Sequence, residues 1–258
     1  MKLALLSDIH ANMPALRAVL DSIEAHRPDH VFCLGDLVGY APWPNEVVDA
    51  IRRRHIPTIA GNYDEGVGLD SEECGCAYQT DEEKERGNAS IRFTNEVIDE
   101  DHRRWLRTLP RHIRLEVGPE ADYSILMVHG SPRRINEYLY EDRPESSMWR
   151  MMQNAEADVM LFGHTHKPYH EILRDESGGG ARHAINTGSV GKPKDGDPRA
   201  CWVMLEVDEE PKRGSDEAVD VEFVRVGYDI QTAARGIEQS PLPDPFAEML
   251  RTGESEPS

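Results

Sequence analysis

Asp8 and His10 end the run LALLSDIH, Asp36 ends VFCLGD, Asn62 follows IPTIAG, His129 follows SILMV, and His164 and His166 follow VMLFG. Each of these seven groups stands where an apolar stretch stops. Strands that run into glycine-rich turns set such side chains along one edge of a sheet, and that edge is where open α/β sheets bind ligands. Seven oxygen and nitrogen donors of hard to borderline type are enough for two cations sharing one carboxylate. That arrangement activates water against a phosphate ester.

The elements that must position these groups alternate along the first hundred residues. Residues 2–7, 30–34 and 56–60 read as strands, and residues 12–26 and 45–54 as helices. This βαβαβ order predicts a parallel sheet with helices on its faces. Asn12 is placed as an N-cap, with Pro14 in the first turn and Leu16, Val19, Leu20 and Ile23 at helical spacing behind it. Residues 65–87 are polar and acidic without a period, an excursion beside the site that could serve as a lid or a contact surface. Residues 88–108 then read as one amphipathic helix carrying Ile91, Val97, Ile98, Trp105 and Leu106. Further strands are expected at 112–117, 123–128, 159–162, 169–173, 183–186, 201–207 and 221–226, with loops at 177–180 and 208–216. From about residue 231 the chain is Pro-rich and acidic, with one apolar cluster at 246–250, and reads as a loosely held tail. The expected organisation is one domain over residues 1–230 and a tail over 231–258.

The bulk numbers narrow the function classes. The chain has 258 residues, enough for one sizeable core. A formal net charge of −19 argues against gripping a long nucleic acid, which needs clustered Lys and Arg. A small phosphorylated substrate is unaffected by that charge. Four cysteines make no disulfide framework; Cys33 and Cys201 lie inside apolar runs and read as small buried hydrophobes. Cys74-Gly75-Cys76 has the spacing of a metal or redox pair, but no second pair completes a zinc set, so reduced loop thiols are the simpler reading. No apolar run approaches membrane length, and the expected location is the cytoplasm. The sequence leaves the oligomeric state open, a homo-oligomer included.

Asp8-x-His10, Gly35-Asp36-x-x-Gly39, Gly61-Asn62-x-Asp64, His129-Gly130 and Gly163-His164-x-His166 resemble, in order, the five motifs of the calcineurin-like metallophosphoesterases. The resemblance spans about residues 1–207, and SDIHAN and NTGSVG are most similar to the small bacterial members, which tend to be phosphodiesterases or broad phosphatases. It implies an α/β fold of two mixed sheets packed as a sandwich and flanked by helices. It also implies two divalent metals, Mn or Fe before Zn, and a hydroxide bridging them. Asp36 would be the shared ligand, with Asp8, His10 and His166 completing one metal and Asn62, His129 and His164 the other. Asp36, Asn62, Tyr63 and Asp64 would form the catalytic group.

Tyr63 departs from the family pattern, which has a general-acid His there. A phenol with an ordinary pKa of about 10 is a poorer acid, and a general acid contributes roughly 10²–10⁴-fold. Two outcomes follow: a weakened hydrolase, or a metal-retaining interaction module without turnover. Basic groups are scarce, yet Arg133 and Arg134 follow His129, and Lys192, Lys194 and Arg199 follow the glycine-rich stretch 186–191. With Asn12 and Tyr40 these are candidates for lining the substrate pocket; the competing reading is a solvated loop paired with Asp195 and Asp197.

Overall fold

Lys2–Leu6 (β1) pairs in parallel with His30–Cys33 (β2), because Met13–His26 (α1) carries the chain back between them. The structure is a computed structural model that describes residues 1–175 and 180–255. Pro44–Arg53 (α2), Asn62–Gly68 (α3), Asp81–Val97 (α4) and Glu100–Leu106 (α5) follow. Then come His112–Val117 (β3), Tyr123–Val128 (β4), Glu145–Asn154 (α6), Val159–Phe162 (β5), Tyr169–Arg174 (β6), Ala181–Asn186 (β7), Ala200–Val207 (β8) and Val219–Val226 (β9). Ile230–Glu238 (α7) and Pro245–Thr252 (α8) end the chain.

Two mixed sheets form, in the orders β2-β1-β8-β9 and β3-β4-β5-β7-β6. The period-2 alternation of the central strands explains why they stack as a sandwich. Leu3 and Leu5 of β1 meet Ile125 and Met127 of β4 between the sheets. Ala4 and Leu6 instead pack under α1 and α2, and Leu126 and Val128 under α6. Both faces of both sheets are thus covered, giving helix, sheet, sheet, helix. β1 with β2 and β4 with β5 are parallel pairs, so their C-terminal ends fall on one edge of the molecule.

Several expected elements differ. Residues 56–60 form no strand; Thr58 makes only a single bridge to Cys33, in a segment where Pro57 lacks an N–H. The helix expected over 88–108 starts earlier, where the Thr80 hydroxyl caps the Glu83 N–H, and breaks at Ile98, whose backbone is extended. α6 was not anticipated, since its buried Met148, Met151 and Met152 stand in a polar sequence. Residues 230–252 are not loose: Ala233, Ala234, Ile237, Phe246 and Leu250 are buried together with Ala11 and Ala41. The acidic composition there belongs to the outer faces of two amphipathic helices. Of the hairpin loop expected at 177–180, all but Gly180 lies outside the described residues. No helix among them is long and apolar enough to cross a membrane.

Candidate metal centre

The seven groups singled out in the sequence converge on that shared edge, all buried. Asp8 and His10 follow β1, Asp36 follows β2, His129 follows β4, His164 and His166 follow β5, and Asn62 opens α3. Five of them hold left-handed backbones: Asp8 (φ 53°), His10 (49°), Asp36 (53°), His164 (66°) and His166 (61°). Such conformations are uncommon outside glycine and cluster at functional sites. Here they turn side chains back over the strand ends. The preceding glycines are needed for closeness: a Cβ on Gly61 would fall 2.1 Å from Asp36 Oδ1, and one on Gly163 would fall 2.4 Å from Asp8 Oδ2.

The donors fall into two triads, Asp8 with His10 and His166, and Asp36 with His129 and His164, each compact enough to hold one metal ion. Their hydrogen bonds fix which atoms face inward. The Nδ1 atoms of His10, His129 and His166 point at the carbonyls of Val38 (3.0 Å), Leu34 (2.8 Å) and Lys192 (2.5 Å), so each Nδ1 carries a proton and, in the neutral ring, Nε2 presents a lone pair. Yet the Nε2 atoms of His10 and His166 lie 3.2 Å apart, and His129 Nε2 lies 3.1 Å from Asn62 Oδ1. Facing lone pairs at such distances repel unless a cation or a proton stands among them. Asp8 Oδ1 and His164 Nε2 are buried without a hydrogen-bond partner among the described residues, which costs free energy that a metal ion would remove. The donor set fits divalent metal.

Around the triads other groups set orientation. Asp8 Oδ2 accepts from the Ser7 hydroxyl (2.7 Å) and the His164 N–H (3.0 Å), leaving Oδ1 toward His166 at 3.2 Å. Asp36 Oδ1 accepts the Tyr63 N–H at 2.8 Å, while its Oδ2 lies 3.4 Å from His129 Nε2 and 3.6 Å from His10 Nε2. Asn62 donates to the Cys74 carbonyl (3.0 Å) and the Cys76 sulfur (3.3 Å), which aims its Oδ1 at His129. The Cys74 and Cys76 sulfurs are 3.1 Å apart and free.

Electrostatics follow from burial and these contacts. Burial opposes the charge on Asp8, but His166, His129 and His10 outweigh it and hold its carboxyl below the usual range. Asp36 is likewise lowered against burial by His129 and His10. Burial keeps His164 neutral, down to about 3, with His129 adding to the effect; His166 is pushed to about 3 by burial and Lys194. Burial also works against charge on His129, yet Asp36 prevails and carries that imidazole up to about 10.

The outlying candidates divide. A cavity of about 370 Å³ at the mouth of the centre is lined by Tyr40, Lys192 and Lys194, together with Tyr78, Tyr138 and Phe246. The Lys192 ammonium lies 4.7 Å from the Tyr40 ring centre, and Tyr138 packs 4.1 Å from His164. Tyr138 and Ser7 were missed by sequence reasoning, although Ser7 directly precedes Asp8 and Tyr138 alternates with Tyr140 after the His129 loop.

Three expectations need correcting. Asn12 is wholly used as a brace: it accepts from Ala15 N–H and donates to the Gly191 carbonyl and the Tyr228 hydroxyl. Asp64, expected among the catalytic groups, accepts backbone N–H groups of Leu37 and Gly61 and so ties two motif loops together. Burial and then Asp36 push its carboxyl up to about 7. Arg199 is exposed and paired to Asp197 rather than facing the mouth. In the glycine-rich stretch 186–191 the N–H groups of Thr187, Val190 and Gly191 bind the carbonyls of Phe162, Ser7 and Asp8. Tyr63 packs its ring 5.4 Å from that of His10, and its buried hydroxyl has no partner among the described residues.

Residues 1–210 match the calcineurin-like phosphoesterase superfamily domain. The chain belongs to this superfamily. Phosphoesterases of this family and the Asp/His donor set together make it a metal-dependent phosphoesterase, a hydrolase of ester bonds to phosphate. An uncharacterized protein of Methanocaldococcus jannaschii, MJ0912, is 32% identical over 266 residues, covering 97% of this chain and 98% of its own length. A metallophosphoesterase from Sphaerobacter thermophilus is similar in structure, with a TM-score of 0.72 at 29% identity, covering 98% of this chain and 99% of that one. The hypothetical protein PH1004 from Pyrococcus horikoshii has a TM-score of 0.78 at 25% identity, covering 98% of each chain. These likenesses extend through α7 and α8, beyond the superfamily domain itself.

Proposed function

We propose that this phosphoesterase cleaves small phosphomonoesters or phosphodiesters with two divalent ions that share Asp36. One observation carries the reading: Asp36 Oδ2 lies 3.6 Å from a nitrogen of one triad, His10 Nε2, and 3.4 Å from a nitrogen of the other, His129 Nε2. Asp8, His10 and His166 would hold one ion, and Asn62, His129 and His164 the other. The mixed nitrogen and oxygen set without thiolate suits Mn or Fe, then Zn, over Ca or Mg. Bound metals supply an acidified water and positive charge against the non-bridging phosphate oxygens.

The remaining work falls to the chain. Lys192 and Lys194 hold the substrate's outer charge at the mouth, and Tyr40, Tyr78 and Tyr138 wall it from solvent. Asp64 and Asn12 keep the loops in register. Tyr63, pushed well above 10 by burial, donates no proton to the leaving group and serves as an aromatic wall. Leaving-group charge then goes unneutralised, which favours aryl over alkyl esters.

The test is hydrolysis of an aryl phosphate ester by Mn²⁺-loaded protein, with loss on chelation and recovery on Mn²⁺ return. A full metal complement with no turnover on any ester tried would favour an interaction module instead.

A further inference from the structure

A second cavity, of about 750 Å³, opens on the outer face of the five-stranded sheet between β3, β4, α6 and the loop after His129. It shares no lining residue with the cavity at the mouth of the metal centre, and it touches that centre only at His129, on its inner wall. Five guanidinium groups line it, Arg111, Arg114, Arg133, Arg134 and Arg150, and among the described residues no carboxylate does. This occurs in a chain of net charge −19, where an even spread of charge would make such a gathering rare.

Their partners differ. Arg111 pairs with Glu65 and Arg133 with Glu137, both set back from the cavity. Arg114 donates to the Ala155 and Glu156 carbonyls at the end of α6. Arg134 and Arg150 have no carboxylate partner among the described residues; Arg150 donates only to the Ser146 carbonyl. Two uncompensated guanidinium groups beside three more repel one another, and an anion entering between them removes that cost. A planar guanidinium also matches phosphate oxygens two at a time. Besides the charges, the lining includes Pro132 and Ile135 and, as a largely buried apolar floor, Leu126, Val128 and Met151. The volume suits a small organic molecule rather than a polymer.

We propose that this cavity is a second binding site, for a small organic polyphosphate whose phosphates meet Arg134 and Arg150 and whose apolar body lies on Leu126, Val128 and Met151. The site goes beyond the hydrolytic reading and does not depend on it.

The test is calorimetric titration of the metal-loaded full chain with an ATP analogue whose phosphates are joined by methylene groups that resist hydrolysis. The analogue should bind twice, once at the metal centre and once at this cavity, and the second event should weaken at least about tenfold in Arg134→Gln/Arg150→Gln while the first is kept, as expected for loss of charge-assisted contacts. The second event should persist in Lys192→Ala/Lys194→Ala, which alters only the mouth. Both arginines are exposed, and an unchanged melting temperature of the arginine variant would show that the fold is intact. Inorganic tripolyphosphate should bind more weakly than the analogue, and adenosine not measurably. No second event, a second event unchanged in the arginine variant, or one lost only in the lysine variant would overturn the site. Tripolyphosphate binding as tightly as the analogue would overturn the organic body.

Discussion

Asp36→Asn removes a negative charge while its carbonyl can still accept the Tyr63 N–H that Oδ1 now receives at 2.8 Å. At the 3.4 Å that separates Asp36 from His129, opposite unit charges attract by about 5 kcal/mol at an effective dielectric of about 20. Lifting an imidazole from 6.5 to about 10 corresponds to an energy of the same order, about 5 kcal/mol, so Asp36 is strong enough to account for the charged state of His129. Without it, burial is opposed only by Asp8 and the Leu34 carbonyl, and His129 should fall toward the neutral ring. Metal binds only the neutral ring, so loading the wild-type centre at pH 7 must expel a proton. Because the folded value is raised, the ion pair stabilises metal-free protein fully below 6.5 and is lost as pH rises through about 10. Metal affinity at this centre should therefore climb about tenfold per pH unit between pH 7 and 9, and in Asp36→Asn it should be flat. Turnover should fall on the order of 10³-fold, since a ligand to both ions is worth several kcal/mol. Titrating Mn²⁺ into metal-free protein in buffers of different ionisation enthalpy counts the protons. Equal proton release by the two proteins would refute the reasoning.

Tyr63→Phe should change turnover little, whereas Tyr63→His should raise turnover on alkyl esters by up to roughly 10²-fold or more and flatten the dependence on leaving-group pKa; a large loss in Tyr63→Phe at constant metal content would make the phenol a working acid. In Gly163→Ala the new Cβ would meet Ser7 Oγ at 2.3 Å and Asp8 Oδ2 at 2.4 Å, so elemental analysis should find the ion at Asp8 depleted. Truncation after Gly227 exposes the partners of Ile237, Phe246 and Leu250, whose burial is worth roughly 1.5–3 kcal/mol each, a sum comparable to the stability of a whole domain. The truncated chain should be insoluble or melt far below the full chain, and a native melting temperature would contradict the packing described.

All the donors but Asn62 were legible because each stands where a strand must end: the alternation that buries Leu3, Leu5, Ile125 and Met127 also dictates where the backbone leaves the sheet. Which donors would share an ion was not legible from spacing, since it depends on how two sheets stack face to face. Braces looked like ligands for the same reason. Asn12 and Asp64 have the chemistry of a site, and only their hydrogen bonds to Gly191, Leu37 and Gly61 reveal that they hold loops. The C-terminal helices were hidden by composition, because acidic and proline residues mask an apolar stripe that has meaning only against Ala11 and Ala41.

Anomalous diffraction at the manganese edge from Mn²⁺-loaded crystals would show directly whether two ions share one carboxylate. Two peaks roughly 3.5–4 Å apart are expected. Asp8, His10 and His166 should surround one and Asn62, His129 and His164 the other, with Asp36 touching both. A single peak, or two peaks without Asp36 between them, would contradict that sharing.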